Sequence, residues 1–90
     1  MNMHSVLVYV PTPNVEKDWR EFLFDVTEKT KGELGVLRLA ENVWLLNLQT
    51  SLFALGHITV RAKARGFSLG VLPFERAPEW LPVGFDPTPI

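Results

Sequence analysis

An α+β domain built on one four-stranded antiparallel sheet is the fold class this chain predicts, and three observations predict it. The stretch Val36 to Leu48 reads as two short strands about an Ala40-Glu41-Asn42 turn. Amphipathic helical patterns lie on either side of that hairpin. One apolar run precedes them (Val6 to Val10) and another follows (Phe67 to Phe74). The order is therefore strand, helix, strand, strand, helix, strand.

Each element has its own justification. Val6, Val8 and Val10 alternate with Leu7 and Tyr9, a β-branched run suited to a strand that is apolar on both faces. Pro11-Thr12-Pro13-Asn14 breaks it. Thr12 or Asn14 is positioned to cap the helix that follows, with Glu16 and Asp18 in its first turn, where acids favour the helix dipole. Val15, Trp19, Phe22, Leu23 and Val26 form one buried stripe of a helix that ends near Gly32. After the hairpin, Thr50 or Ser51 is the expected cap of a second helix. Leu52, Leu55, Ile58 and Ala62 are its stripe, and Arg61, Lys63 and Arg65 precede a Gly66 stop. The stretch His57 to Ala62 also alternates and is β-branched, so a strand-turn-strand reading fits it too. Beyond Phe74 come Pro78, Pro82, Pro87 and Pro89, with Trp80, Leu81, Val83 and Phe85 among them, which excludes a central strand there.

This order on this length is that of the ferredoxin-like βαββαβ sandwich, with two helices on one face of the sheet. Residues 1–76 are the expected domain. Residues 77–90 are a Pro/aromatic tail expected to pack on its own domain or on a partner. The first and third strands lie centrally in this pattern, which puts Tyr9 and Trp44 on neighbouring strands, on faces that the register decides. A sheet face open to water alternates apolar and polar residues. Here Leu37 and Leu39 oppose Val36, and Trp44, Leu46 and Leu48 oppose Val43 and Leu45, so neither face is polar. Something is expected to cover the open face. A homodimer is the preferred reading, with Tyr9, Val43, Leu45, Trp80 and Phe85 as interface residues.

A resemblance enters at the hairpin. Tyr9 ending an apolar first strand, a helix, then Glu41-Asn42-Val43-Trp44, a polar-capped second helix and a closing strand resemble the small CRISPR spacer-acquisition nucleases. Related small antitoxin endoribonucleases of that fold are similar too. The likeness covers residues 5 to 74 and implies the ferredoxin-like fold and a dimer. In those nucleases the first strand typically ends in tyrosine-aspartate, and the aspartate binds a divalent metal between two subunits. Here the pair is Tyr9-Val10. The resemblance therefore carries over fold and assembly, not metal-dependent cleavage.

Composition narrows the function classes. Ninety residues, 47% hydrophobic and 21% charged, make one globular domain. The apolar runs stop at about half the ~20 residues a bilayer requires, so no membrane span is expected. Met1 to Ser5 carry no basic region of the secretory kind. There is no cysteine, hence no disulfide, thiolate metal site or thiol nucleophile, and a cytoplasmic location fits best. Nine basic against ten acidic residues give a net charge of −1, which argues against a dedicated nucleic-acid binder. A local basic patch remains, made of Arg61, Lys63 and Arg65 with Arg38. Its plainer reading is cations favouring a helix C-terminus.

Candidates for chemistry are few. His4 sits at the chain start and His57 on the second helix, neither with a carboxylate at metal-ligand spacing. Asp18, Glu21, Asp25 and Glu28 share one helix face, suited to a cation or a basic partner, or simply solvated and balanced by Lys17, Arg20, Lys29 and Lys31. Tyr9 and Trp44 suit either a base-stacking platform or the core. Ser5, Ser51 and Ser68 lack any elbow or triad context, and no glycine-rich phosphate loop occurs. No catalytic residue, metal ligand or cofactor is assigned. Three readings follow: a dimeric binding or regulatory module, a nucleic-acid-binding or nuclease-like protein, and a small-molecule enzyme using His57 or a carboxylate. The first is preferred.

Overall fold

The computed structural model describes residues 3–78. Among them the chain forms β1 (Ser5–Tyr9), α1 (Glu16–Thr30), β2 (Val36–Ala40), β3 (Val43–Asn47), α2 (Leu52–Ala64) and β4 (Gly70–Phe74). The strands make one antiparallel sheet in the order β2-β3-β1-β4, so β1 and β3 are central. This is a ferredoxin-like α+β fold. The Trp80 and Phe85 positions lie outside the described residues.

Register decides which residues face the helices. Val6 pairs with Leu46, Val8 with Trp44, and Val36 with Leu46. Directly paired residues share a face, so these five side chains point the same way. They meet Trp19, Phe22 and Val26 of α1 and Ala54, Ile58 and Ala62 of α2 in one core. Full burial of side chains of this size contributes roughly 1.5–3 kcal/mol each. Phe22 is central to the cluster, edge-on to Trp44 (6.3 Å) and Phe67 (5.4 Å) and stacked with Trp19 (5.5 Å).

Residues 57–63 are helical. Ala54, Ile58 and Ala62 are fully buried while Gly56 and Val60, which a strand would place on the same face, are exposed, and that pattern fits only a helix. Burial of the stripe outweighs the β-branched preference of Ile58, Thr59 and Val60. The helix closes as the spacing predicts: Gly66 has φ +73°, its N–H donates to Lys63 O, and Phe67 N–H donates to Ala62 O.

Some local expectations are corrected. Neither Thr12 nor Asn14 caps α1. Val15 occupies the cap position in extended backbone with no side-chain bond, since Thr12 before Pro13 is held extended and the first helical turn starts beyond Asn14. Ser51 does hold the cap position of α2, but its hydroxyl donates to Leu34 O instead, tying together the two loops at that end. The last strand begins at Gly70, because Phe67 and Leu69 pack against the core first. Pro73 is tolerated in β4 because β4 is an edge strand. His4 is not a loose end: its N–H donates to Phe74 O and its carbonyl accepts from Leu48 N–H.

Candidate functional site

The face of the sheet away from the helices is built in three rows. Phe74, Ser5 and Asn47 form one, and Leu72, Leu7, Leu45 and Leu37 the next. Gly70, Tyr9, Val43 and Ala40 form the third. No residue in these rows is charged. The middle row is four leucines, one from each strand, because the register places every β-strand's outward Leu at the same height. Tyr9 is 46% exposed and Leu72 55%, so apolar surface reaches solvent on this side. Contiguous apolar surface on a small domain marks a contact site more often than chance.

One end of the face is different. Ser5 and Leu45 are 3% and 7% exposed, although both helices lie on the other side of the sheet. They belong to a groove of about 280 Å³ with Leu37 and Leu45 as its apolar part and His4, Ser5 and Asn47 as its polar part. His4 Nδ1 and Ser5 Oγ are hydrogen-bonded within it. Gly35 completes the groove where a side chain cannot fit: its φ is +84°, and an added Cβ would overlap Thr50 Oγ1 and approach Asn47 Cβ to 2.8 Å. Ala77 and Pro78 of the chain beyond β4 line the same groove.

Of the interface residues named from sequence, Tyr9, Val43 and Leu45 fall together on this face, and Trp80 and Phe85 lie outside the described residues. Leu7, Leu37, Leu72 and Phe74 join them. The missing signal was the pairing of β4 with β1, which places Leu72 beside Leu7 and has no mark in local sequence.

Of the four cations, Arg65 and Arg38 have separate local partners. Arg65 Nη1 and Nη2 donate to Glu21 Oε2 and Asp25 Oδ2 on α1, each at 3.2 Å. Partial burial pulls the Arg65 pKa down, but the hydrogen bonds to Asp25 and Glu21 outweigh it and raise it. Arg38 donates to Ala40 O and Glu41 O within its own hairpin and lies 5.8 Å over the Trp44 ring. Arg61 and Lys63 are exposed on the last turn of α2. Two residues apart on a helix, they point about 200° away from each other. Two of the acids on α1 are thus spent on Arg65. Among the described residues no group of three or more His, Asp or Glu side chains is placed to hold a metal.

His57 lies in a shallow groove on the helix layer beside Phe53, Gly56, Val60 and Arg61, not beneath the sheet. Its ring stacks on Phe53 at 6.0 Å, and its Nε2 is buried without a hydrogen-bond partner. Burial, then the charge of Arg61, pushes its pKa below the ordinary value, with Lys29 adding to this and Asp25 opposing it. Phe53 and Val60 are exposed on this layer, but Arg61 and His57 interrupt them, whereas the sheet rows are unbroken. Val10, at the position of the resembled nucleases' aspartate, is fully buried, and its N–H donates to Asn42 O. No helix among the described residues is long and apolar enough to cross a membrane. Compared with protein-family models, with curated proteins and with solved structures, the chain matches none.

Proposed function

We propose that this protein is a binding module, without catalysis of its own, whose working surface is the open sheet face and whose first partner is a second copy of itself. The observation that carries the reading is the uncharged leucine row, Leu72, Leu7, Leu45 and Leu37, flanked by Tyr9 and Val43 on the side away from the helices. Two such faces stacked together remove apolar surface from water without leaving any charge unpaired. A nucleic-acid platform needs cations beside its aromatic residues, and the rows contain none.

The described face is small. Four strands of five residues span about 19 by 17 Å, or roughly 320 Å² in projection. A standard interface uses about 800 Å² of each partner. Strands alone therefore support a weak, transient pair, to be sought at protein concentrations of about 10 μM to 1 mM. Sedimentation equilibrium across that range tests it: a concentration-dependent shift from monomer to dimer is expected, and a strict monomer up to about 1 mM would sink the reading.

A further inference from the structure

We propose that the groove at the Ser5–Leu37 end of the open face is a docking site for a proline- and aromatic-bearing segment, and that its ligand is residues 79–90 of the same chain. This deepens the reading of the sheet face as a contact surface and rests on it.

The course of the chain carries the argument. Phe74 pairs with Ser5 at the β4 edge, and four positions later Pro78 lines a groove shared with Gly35 and Leu37 of the opposite side of the sheet. The chain leaving β4 therefore turns onto the open face, not away from it. Ser5 and Leu45, on this face away from the helices, are buried. Trp80 follows Pro78 by two residues, within about 7 Å of chain. Leu81, Val83 and Phe85 come next, separated by Pro82 and Gly84. Prolines supply no N–H and stiffen the chain into an extended form that loses little entropy on docking. Twelve residues in that form reach about 37 Å, twice the ~19 Å width of the sheet. Length does not limit coverage of Leu37, Leu45 and the Ser5–Asn47 row beside them.

The chain's own segment also outcompetes one from a second copy. A short tether holds its ligand at an effective concentration in the millimolar range. A free copy at micromolar concentration is roughly a thousandfold more dilute. Docked in this way, the segment adds the apolar area that the strands lack, and leaves Tyr9, Val43 and Leu72 outward for a partner.

The test uses the full chain with labelled leucine and valine methyls. Nuclear Overhauser contacts are expected between the Trp80 indole and the methyls of Leu37 and Leu45. Trp80→Ala should abolish them and shift those methyls, while Val26 beneath the sheet stays in place. In a mixture of labelled and unlabelled chains the contacts should be intrachain. Contacts that appear only between chains would assign the groove to a second copy's segment and overturn the proposal. Absence of any contact from Trp80 or Phe85 to the groove would overturn it as well. Sedimentation of the same sample reads the dimer separately, so a monomer with intrachain contacts refutes the assembly and leaves the docking site standing.

Discussion

Tyr9 and Trp44 lie on the two central strands, one register step apart, and face opposite sides of the sheet. Val8 is the residue opposite Trp44, and Tyr9 is opposite Val43. Trp44 is 1% exposed in the core beneath the helices, and Tyr9 is in the outer row. The two rings cannot form one stacking platform for bases. They separate the work of the sheet: one face holds the fold together, and the other is available for contacts.

Replacing Trp44 and Tyr9 by alanine should therefore have unequal effects. Trp44→Ala opens a cavity against Phe22 and is expected to cost about 3–5 kcal/mol. Tyr9→Ala, half in solvent, should cost under about 1 kcal/mol in the monomer. Urea denaturation of both variants measures the difference, and equal losses would contradict the face assignment.

Tyr9→Asp places a charge in an uncharged row. Pairing two such faces would bury it, so dimer Kd should rise by about 10–100-fold, or roughly 1.4–2.8 kcal/mol. Sedimentation reads the shift, and circular dichroism should show an unchanged monomer. A dimer as strong as the native one would move the interface to another surface.

Arg65 joins the helices where Arg61 and Lys63 do not. Arg65→Ala loses both carboxylate partners on α1 and should cost about 1 kcal/mol, since exposed ion pairs contribute little individually. Arg61→Ala and Lys63→Ala should stay within about 0.5 kcal/mol of the native protein. Thermal unfolding compares them, and a loss at Lys63 equal to that at Arg65 would show that the pairing with Glu21 and Asp25 is not what matters.

Gly35→Ala combines left-handed backbone with an occupied site. The new Cβ would press on Thr50 Oγ1 and Asn47 Cβ, with φ held at +84°. A loss above about 1 kcal/mol is expected. Gly32→Ala, at φ +80° but with open space around it, should lose less. Chemical denaturation of the pair separates crowding from backbone strain.

His57 makes stability depend on pH. The folded protein resists protonating this ring because of its burial and the nearby Arg61 and Lys29, with Asp25 opposing. The unfolded chain takes up the proton near the ordinary value of 6.5. Its contribution is whole above that value and is lost as pH falls towards the lower folded pKa. His57→Gln should flatten this part of the stability profile. Unfolding free energies measured from about pH 7 down to 5 check it, and identical slopes for both proteins would contradict the assignment.

The apolar strands about the Ala40-Glu41-Asn42 turn, the helical stripe through Trp19, Phe22 and Val26 and the Gly66 stop were legible in residue order alone, although Val15, read into the same stripe, is exposed. Each rests on local periodicity or on backbone freedom, which travel with the chain. The order of elements in turn named the fold. Legibility ended where partners are distant in sequence. A strand reading stayed open beside the preferred helix at His57 to Ala62 until burial of Ile58 and Ala62, with Val60 between them exposed, decided for helix. Three cations at Arg61, Lys63 and Arg65 looked like one patch, yet Glu21 and Asp25, some forty positions away, take Arg65 out of it. The apolar doubling of the strands was visible from the start. That it forms one leucine row, with a groove at one end and Pro78 beside it, depends on how β1 pairs with β3 and β4. Strand register is set by packing of the whole sheet against its helices, and no single stretch of the sequence contains it.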